Sequence, residues 1–284
     1  MLEYKVIEKI NEGMSKDSKY IVELTKDNKK CLLRVSNFSQ KKVDTYEVIK
    51  KIYYSSDSSK LIDYFIQEDK IYAFFEYIDG YVLNDILHKS SNDEKYNYGF
   101  QAGRTLSLLH ENKNLEIENL ITNLDMVKYI LNQYNLFPMK NKVIDKVYDF
   151  CISIKDDINF NNYCFLNADF HSKNMVVNVK KLYLIDLEKY EYGDQVRDLT
   201  FIYTFDEDRN YSNGILNGYF SNYEISKDFW IRFKFFSALS IIQYYMWNLN
   251  KFKKEFNSID IAYKFFDEYE KNSIVPKWFK KNGE

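Results

Sequence analysis

Short runs of alternating hydrophobic and polar residues fill the first 80 positions and are typical of strands. The segments KVIEKINE and KYIVELTKD flank the turn GMSKDS and predict a hairpin, and KKCLLRVSN predicts a third strand. Two more strands are predicted in KLIDYFIQEDKIYAFFEYIDG, around a turn at residues 67–70. After the third strand, Val48, Ile49 and Ile52 fall on one helical face and predict a helix over 40–53. The order indicates a small sheet with one helix.

The hydrophobic spacing becomes helical after Asp79-Gly80. Helices are predicted over 92–112, with Asn92 or Asp93 as the N-cap, and over 124–134 and 141–158. A β-rich patch at 165–187 interrupts them, and helices resume at 196. The aromatic stripe 229–247 predicts a helix-bundle core, with the lesser alternative that one of its rings lines a substrate cleft. We therefore expect an α+β, bilobal fold with an N-terminal antiparallel sheet lobe over 1–79 and a larger, mainly helical lobe over 80–284.

Composition and charge exclude several classes of protein. The chain has 40 Lys and Arg against 42 Asp and Glu, a balance that argues against a nucleic-acid binder held by phosphate neutralisation. Its three cysteines are widely spaced with no CxxC pair, which supports neither a zinc site nor a disulfide framework. The N-terminus is charged early and no apolar run reaches about 18 residues. We expect a cytoplasmic protein without membrane or nucleic-acid partners, and the oligomeric state stays open.

The segment FLNADFHSKNMVVNVKKLYLIDLEKY carries the candidate chemistry. Asp169 is followed five residues later by Asn174, and Asp186 closes the apolar run LYLI after a predicted strand pair. Phosphoryl transfer needs one carboxylate to orient the acceptor hydroxyl, and an amide and a carboxylate oxygen to hold Mg²⁺ against the phosphates. The D-x4-N spacing and the later Asp match the pattern of protein kinases.

The same segment resembles the HGDLHxGN…IDF/WE signature of the aminoglycoside phosphotransferase-like kinases, a family that includes macrolide and choline kinases. AFFEYIDGYVL resembles the inter-lobe connection of that family, QAGRTLSLLHE its LGxxLxxLH helix, and RDLTFIY its DLA-type segment. The resemblance extends from about residue 5 to residue 203. Five ordered segments make chance agreement improbable, whereas D-x4-N alone would carry little weight.

The resemblance implies a kinase that uses ATP (or GTP) and Mg²⁺. Asp169 would be the catalytic carboxylate, and Asn174 and Asp186 the Mg²⁺ ligands. Gly13 and Ser15 would lie over the phosphates, Arg34 would grip them, and the backbone from Glu76 to Ile78 would bind the adenine edge. Among the other polar residues of these segments, Asp198 is expected to bond the catalytic loop and His110 to cap or pack. His171 is expected to be exposed, with a place near the substrate and a structural role as equal alternatives.

Three departures from the family pattern keep a second interpretation open. Asn167 stands where the family has His, Arg34 replaces the usual lysine, and the phosphate loop has a single glycine. The position that should present a carboxylate to Arg34 is Thr45 by helix register, and Asp44 or Glu47 could substitute only after a rotation. A kinase-like binding protein with weak or no catalysis is therefore the alternative to an enzyme.

The acceptor is predicted from charge. Residues 186–209 hold eight acidic and three basic side chains, a balance of 3 − 8 = −5. Such a concentration of carboxylates would attract a polycation. It favours an aminoglycoside-type antibiotic as the acceptor, with Glu188 and Asp194 as candidate substrate residues, although an ordinary solvated face is an equal reading. A macrolide, a choline-like amine or a sugar are the other acceptor classes.

Overall fold

The computed structural model describes residues 2–11, 17–52, 57–112, 121–205, 208–269 and 273–281. The fold is α+β, with an antiparallel sheet at the N-terminus followed by a mainly helical part, as the sequence predicts. The first sheet has the strand order β1-β2-β3-β5-β4 with every pair antiparallel. Its strands are β1 (Tyr4–Ile10), β2 (Ser18–Leu24), β3 (Lys30–Asn37), β4 (Leu61–Gln67) and β5 (Lys70–Glu76).

Each face of this sheet has its own apolar cluster. On one face the helix α1 (Gln40–Lys51) buries Tyr46 and Ile49 against Leu61, Ile71 and neighbouring strand residues. The other face is covered by a cluster that includes Val22 and Phe74. Alternation along the strands supplies both clusters because successive side chains point to opposite faces.

The remaining strands are short and form two small sheets. The strands β6 (Tyr81–Val82), β8 (Met175–Asn178) and β9 (Lys181–Leu184) form a three-stranded sheet in the order β6-β8-β9. The strands β7 (Cys164–Leu166) and β10 (Glu191–Gly193) form an antiparallel pair. Residues 57–59 bind the end of β9, since Leu184 N–H donates to the Asp57 carbonyl and Ser59 N–H to the Leu184 carbonyl, each at 2.9 Å. This contact ties the segment before β4 to the hairpin β8–β9.

The helical part forms the main core of the protein. Its helices are α2 (Leu83–Leu87), α3 (Asn92–Leu109), α4 (Asn123–Leu136), α5 (Lys142–Ile154), α6 (Val196–Leu199), α7 (Phe201–Thr204), α8 (Arg209–Tyr219), α9 (Lys227–Phe252) and α10 (Ser258–Glu268). The long α9 buries most of its residues, as the aromatic stripe predicts. Ser91 is the N-cap of α3, in a capping box with Glu94, so the prediction of Asn92 or Asp93 as the cap was one or two residues late. Within the described ranges, no helix is both long and apolar enough to span a bilayer.

The helices α3 and α8 cross at backbone contact. A Cβ built on Gly103 would lie 2.0 Å from the Ile215 carbonyl oxygen, and one built on Gly218 would lie 2.0 Å from the Phe100 carbonyl oxygen. Real Cβ atoms do not approach backbone so closely, so glycine is required at both positions. The crossing fixes α3, and with it His110 at the C-terminal end of that helix, next to the candidate site.

Candidate active site

The loop after β7 places Asp169, and a buried carboxylate holds that loop. Asp198 is fully buried and accepts hydrogen bonds from Asn167 N–H at 2.6 Å and Ala168 N–H at 2.8 Å. Ala168 has φ 57°, a left-handed conformation that costs about 1–2 kcal/mol for a residue with a Cβ. The two charge-assisted bonds offset this cost. Asp198 bonds the catalytic-loop backbone, as the sequence predicts.

A short hydrogen-bonded chain orients Asp198. The His110 Nε2 atom lies 3.1 Å from Asp198 Oδ2, and its Nδ1 atom lies 2.8 Å from the Tyr219 hydroxyl. His110 is the C-cap residue of α3 and is buried, so it caps and packs, as expected.

Both oxygens of the Asp169 carboxylate have polar neighbours. The Lys189 ammonium lies 2.6 Å from Oδ2, Asn174 Nδ2 donates to the same oxygen at 2.7 Å, and His171 Nε2 lies 3.4 Å from Oδ1. Burial alone would raise the pKa of Asp169, but the His171 and Lys189 contacts outweigh it and hold that pKa well below its usual range. Asp169 is therefore an ionised carboxylate. His171 is only 8% exposed, so the prediction that it is exposed was wrong. Tertiary packing of its ring against Phe205 covers it, which loop position does not reveal.

The hairpin β8–β9 brings Asn174 and Asp186 together. Met175 pairs with Leu184 in this antiparallel hairpin, and Ile185 N–H donates to the Asn174 carbonyl at 2.9 Å. The residues just outside the paired positions must therefore be neighbours. Asn174 directs its amide nitrogen to Asp169, which leaves its amide oxygen for other partners.

An amide oxygen and a carboxylate oxygen fit Mg²⁺, which usually takes few protein ligands and completes its shell with phosphate and water. In the part of the chain that the structure describes, no group of three or more His, Cys, Asp or Glu side chains could hold a metal ion. A cation bound here would thus take Asn174 and Asp186 from the chain, and the remaining ligands from a nucleotide and solvent.

Arg34 in β3 reaches this cation site from the sheet. Its Nη1 atom lies 3.0 Å from Asp186 Oδ1 and also contacts the Glu188 carboxylate, while Nη2 lies 3.3 Å from Asp17 Oδ2. Arg34 is 8% exposed, and these carboxylates raise its pKa against the opposing effect of burial. Lys42 contacts Asp17 as well. The result is a network of two cations and three carboxylates that links β3 and α1 to the loop after β9.

Among the described residues, α1 gives Arg34 no carboxylate partner. Thr45 donates its hydroxyl to the Lys41 carbonyl at 2.8 Å, and Glu47 contacts the Tyr64 hydroxyl. The helix instead presents Tyr46, which is fully buried and whose pKa is raised by burial and by the Glu188 carboxylate. Glu188 therefore takes the place of the helix carboxylate that the family pattern leads one to expect.

Of the remaining nucleotide-binding candidates, the structure describes those for binding the adenine edge, but not those for binding the phosphates. Glu76 ends β5, where its N–H donates to the Lys60 carbonyl at 2.9 Å and its carbonyl accepts from the Ser59 hydroxyl at 2.7 Å. Ile78 follows in the connection between the sheet and β6. Gly13 and Ser15 lie outside the described residues.

A cleft of about 360 Å³ opens beside Asp169. Its lining combines the charged residues Asp169, Lys189, Glu191, Arg197 and Asp198 with apolar and aromatic side chains from α4, α7 and α9. Phe236, Tyr244 and Trp247 of the aromatic stripe are among them, whereas the lesser alternative for that stripe expected a single ring in a cleft. Nothing in the local pattern separated these three rings from the core positions of α9.

The structure brings neither predicted substrate residue into this cleft. Asp194 is fully buried and ion-paired with Arg232, and its backbone N–H donates to Asn123 Oδ1 at 3.0 Å. It anchors α9 to the loop after β10 and has no exposed surface for an acceptor. Glu188 contacts Arg34 of β3 and is not part of the lining of this cleft. The position of Asp194 and Glu188 in an acidic run suggested that both are exposed, but both are buried against residues distant in sequence.

The described carboxylates of residues 186–209 all contact a basic side chain. Asp206 and Glu207 lie outside the described residues. The other six each have a cationic or histidine partner: Asp186 and Glu188 with Arg34, Glu191 with Arg197, Asp194 with Arg232, Asp198 with His110, and Asp208 with Lys95. The acidic balance of residues 186–209 is therefore not evidence for a polycationic acceptor.

Comparison with known protein families identifies the family of this chain. The profile of the Phosphotransferase enzyme family (APH) matches residues 7–229, most of the chain. The chain belongs to this family. A comparison with curated protein sequences found no match.

Solved structures of kinases share the fold. The chain is similar to a thermostable mutant of aminoglycoside phosphotransferase APH(4)-Ia in ternary complex with ADP and hygromycin B, at 12% identity over 93% of this chain and 94% of that chain, with a TM-score of 0.66. It is also similar to macrolide 2′-phosphotransferase MphH from Brachybacterium faecium, at 10% identity over 95% and 96%, with a TM-score of 0.63. For amicoumacin kinase hAmiN in complex with AMP-PNP, Ca²⁺ and Ami, the identity is 14% over 96% and 90%, with a TM-score of 0.60. Identities this low show the kinase-like fold alone.

Proposed function

We propose that the protein is an ATP-dependent O-phosphotransferase that acts on a hydroxyl group of a small molecule, in the cytoplasm. The observation that supports this most directly is the geometry of the hairpin β8–β9: the backbone of Ile185, next to Asp186, bonds Asn174, and the Asn174 amide donates to Asp169. Aminoglycosides, macrolides, choline-like amines and sugars are the candidate acceptors. The ion-paired carboxylates of residues 186–209 remove the charge argument that favoured the first of them.

The chain would contribute orientation and charge to the transfer. Asp169 accepts a hydrogen bond from the acceptor hydroxyl and takes its proton as the new oxygen–phosphorus bond forms and the bond between the γ-phosphorus and the β,γ-bridging oxygen breaks. Asn174 and Asp186 would hold Mg²⁺, which supplies positive charge against the phosphates when bound. Arg34 would contact the α- and β-phosphates from β3, and the backbone at Ile78 would meet the base. The lobe boundary at 79/80 and the phosphate contacts of Gly13 and Ser15 remain parts of this proposal.

The test is Asp169→Asn, with Asp149→Asn on the exposed face of α5 as the matched control. We expect the first variant to lose nearly all acceptor-dependent ADP release while it keeps MgATP binding and its melting temperature. The control should match the wild type in every assay. Near-normal turnover by Asp169→Asn would overturn the assigned mechanism.

A second candidate is a kinase-like protein that binds nucleotide without transfer. The observation that favours it is the ion pair between Arg34 and Asp186, which joins the phosphate-binding cation to a metal ligand. MgATP binding without ADP release for any hydroxyl acceptor would support this candidate. Transfer to any acceptor would exclude it.

A further inference from the structure

Four aromatic rings form a continuous wall along one side of the cleft. We call Phe201, Phe205, Tyr244 and Trp247 the aromatic wall. Phe201 and Phe205 stack with centroids 5.5 Å apart, the Phe205 and Tyr244 rings meet edge to face at 5.6 Å, and Tyr244 and Trp247 stack at 6.1 Å. All four residues line the cleft beside Asp169.

The wall begins at the catalytic carboxylate. The His171 ring lies 5.0 Å from the Phe205 ring, and its Nε2 atom lies 3.4 Å from Asp169 Oδ1. An acceptor whose hydroxyl reaches Asp169 therefore has the aromatic wall beside the rest of its body.

Two rings of the wall are partly exposed to solvent. Phe205 and Trp247 are each 39% exposed. Apolar surface left open beside a catalytic cavity is surface that a ligand can cover, and burial of an aromatic side chain is among the largest favourable contributions to binding.

The described residues that line the cleft nearly balance in charge, with three carboxylates (Asp169, Glu191 and Asp198) against two cations (Lys189 and Arg197). Asp169 is paired with Lys189, and Glu191 with Arg197. Asp198 lies below the surface with His110 and two backbone N–H groups. The other polar lining residues are neutral, among them Ser240 and Gln243.

We propose that the acceptor is a hydroxyl-bearing molecule with a broad apolar body and at most one positive charge, whose apolar face packs on the aromatic wall while its hydroxyl reaches Asp169. This inference rests on the proposed function and narrows its acceptor class. The volume of about 360 Å³ suits a ligand of drug-like size rather than a single small sugar.

The same rings do not form a cage for a quaternary ammonium group. Such a cage surrounds the cation with several ring faces. Here the rings follow one another in a row, with interplanar angles of 22° for both stacked pairs. A cation of the protein already lies over the outermost ring, since Lys251 Nζ is 4.9 Å from the Trp247 centroid.

The first experiment measures MgATP-dependent phosphorylation of four probes by mass spectrometry, with the Asp169→Asn variant as blank. The probes are a macrocyclic lactone glycoside with a single amine, a polycationic aminocyclitol antibiotic, choline and glucose. We expect the macrocyclic glycoside to be phosphorylated with the highest kcat/KM, and kcat/KM to change less than twofold between 50 and 300 mM salt. Recognition of a polycation by charge would make it fall steeply with salt.

The second experiment tests the wall with variants matched for exposure. Phe205→Ala and Trp247→Ala should each raise the acceptor KM at least tenfold, with a smaller effect on kcat and none on the KM for ATP. Phe266→Ala and Tyr263→Ala remove exposed rings from α10, where Phe266 is 38% exposed and Tyr263 is 60% exposed, and should change neither constant. Trp247→Phe should restore most of the affinity.

The outcomes separate this inference from the proposed function. Preferred phosphorylation of the aminocyclitol or of choline, or wall variants that leave the acceptor KM unchanged, would overturn the acceptor class and leave the kinase function intact. The acceptor class would also be overturned if calorimetry showed MgATP binding but the macrocyclic glycoside was not phosphorylated and did not quench tryptophan fluorescence. Absence of MgATP binding would instead overturn the proposed function.

Discussion

Arg34 Nη1 lies 3.0 Å from Asp186 Oδ1, so the cation of β3 directly contacts the carboxylate assigned to metal binding. The same guanidinium nitrogen contacts Glu188, two residues further along the chain. A single arginine on the sheet is thus held by two carboxylates from the loop after β9. A guanidinium has several N–H donors in a fixed plane and can bridge them, whereas an ammonium is a compact point charge.

Glu188→Gln is expected to raise the KM for ATP about tenfold, the equivalent of roughly 1.4 kcal/mol, with little change in the acceptor KM. The reason is that Glu188 is buried beside Arg34 and fixes the guanidinium, while burial raises the pKa of Glu188 and Arg34 opposes that rise. Steady-state kinetics with each substrate varied in turn provide the measurement. Glu47→Gln on α1 is the control and should leave both constants unchanged. A larger effect in Glu47→Gln would show that the functional carboxylate partner of Arg34 lies on α1.

Lys189→Ala is expected to lower kcat by at least tenfold with a smaller effect on the KM for ATP. The Lys189 ammonium lies 2.6 Å from Asp169 Oδ2 and contributes to the low pKa of that carboxyl. Without it, the carboxylate loses a partner that orients it. Lys189→Arg should recover part of the rate because it keeps the charge, and rapid-quench kinetics would locate the loss in the chemical step. Unchanged single-turnover rates in Lys189→Ala would remove Lys189 from this role.

Asp198→Asn is expected to destabilise the fold by about 2–3 kcal/mol and to reduce activity. The substitution replaces one acceptor oxygen of a fully buried carboxylate by a donor that faces the N–H groups of Asn167 and Ala168. Chemical denaturation gives the free energy of unfolding, and His110→Ala, which removes the other partner of the carboxylate, should reduce stability as well. A variant as stable and active as the wild type would show that the loop does not depend on this clamp.

The sequence predicted those parts of the site that local periodicity determines. The spacing of Asp169, Asn174 and Asp186 around two apolar runs predicted the hairpin that joins them, because strands with alternating residues pair in one register. The ion-pair partners of Arg34 and Asp194 are set by contacts between residues far apart in sequence. The burial of the His171 ring depends on such contacts as well. Charge counting cannot distinguish an acidic residue in solvent from one held by a distant arginine. The aromatic wall was hidden for the same reason, since only tertiary packing decides which rings of α9 face the cleft.

Gly218→Ala is expected to lower the free energy of unfolding by at least 3 kcal/mol, an effect of the overpacking type. The added methyl group would fall 2.0 Å from the Phe100 carbonyl oxygen, so α3 and α8 would have to separate. Thermal and denaturant unfolding provide the measurement. Asn210→Ala, on the exposed side of α8, is the control and should change stability by less than about 0.5 kcal/mol. Equal melting temperatures for Gly218→Ala and the wild type would mean that the two helices do not cross at this distance.

Asp208→Asn tests the electrostatic link between α3 and α8. Asp208 caps α8 through the N–H groups of Asn210 and Tyr211 and lies 2.8 Å from Lys95 Nζ. Burial alone would raise the pKa of Asp208, but the Lys95 contact and the backbone donors hold it below its usual value. A lowered pKa in the folded state stabilises the protein above the unfolded pKa of about 3.9, and this contribution is lost as the pH falls through the folded value.

Asparagine caps helices as well as aspartate does, so this variant removes mainly the charge. We expect a loss of about 0.5 kcal/mol at pH 7, because solvent screens a partly exposed pair. The difference from the wild type should shrink as the pH falls below 4, and it should also shrink in 0.5 M salt. Denaturation curves of the two proteins between pH 3 and 7 measure this difference, with Asp149→Asn as the control for loss of an exposed carboxylate. A difference that grew towards acid pH would have the opposite sign to the one that a lowered pKa requires, and would show that Asp208 is not stabilised in its ionised form.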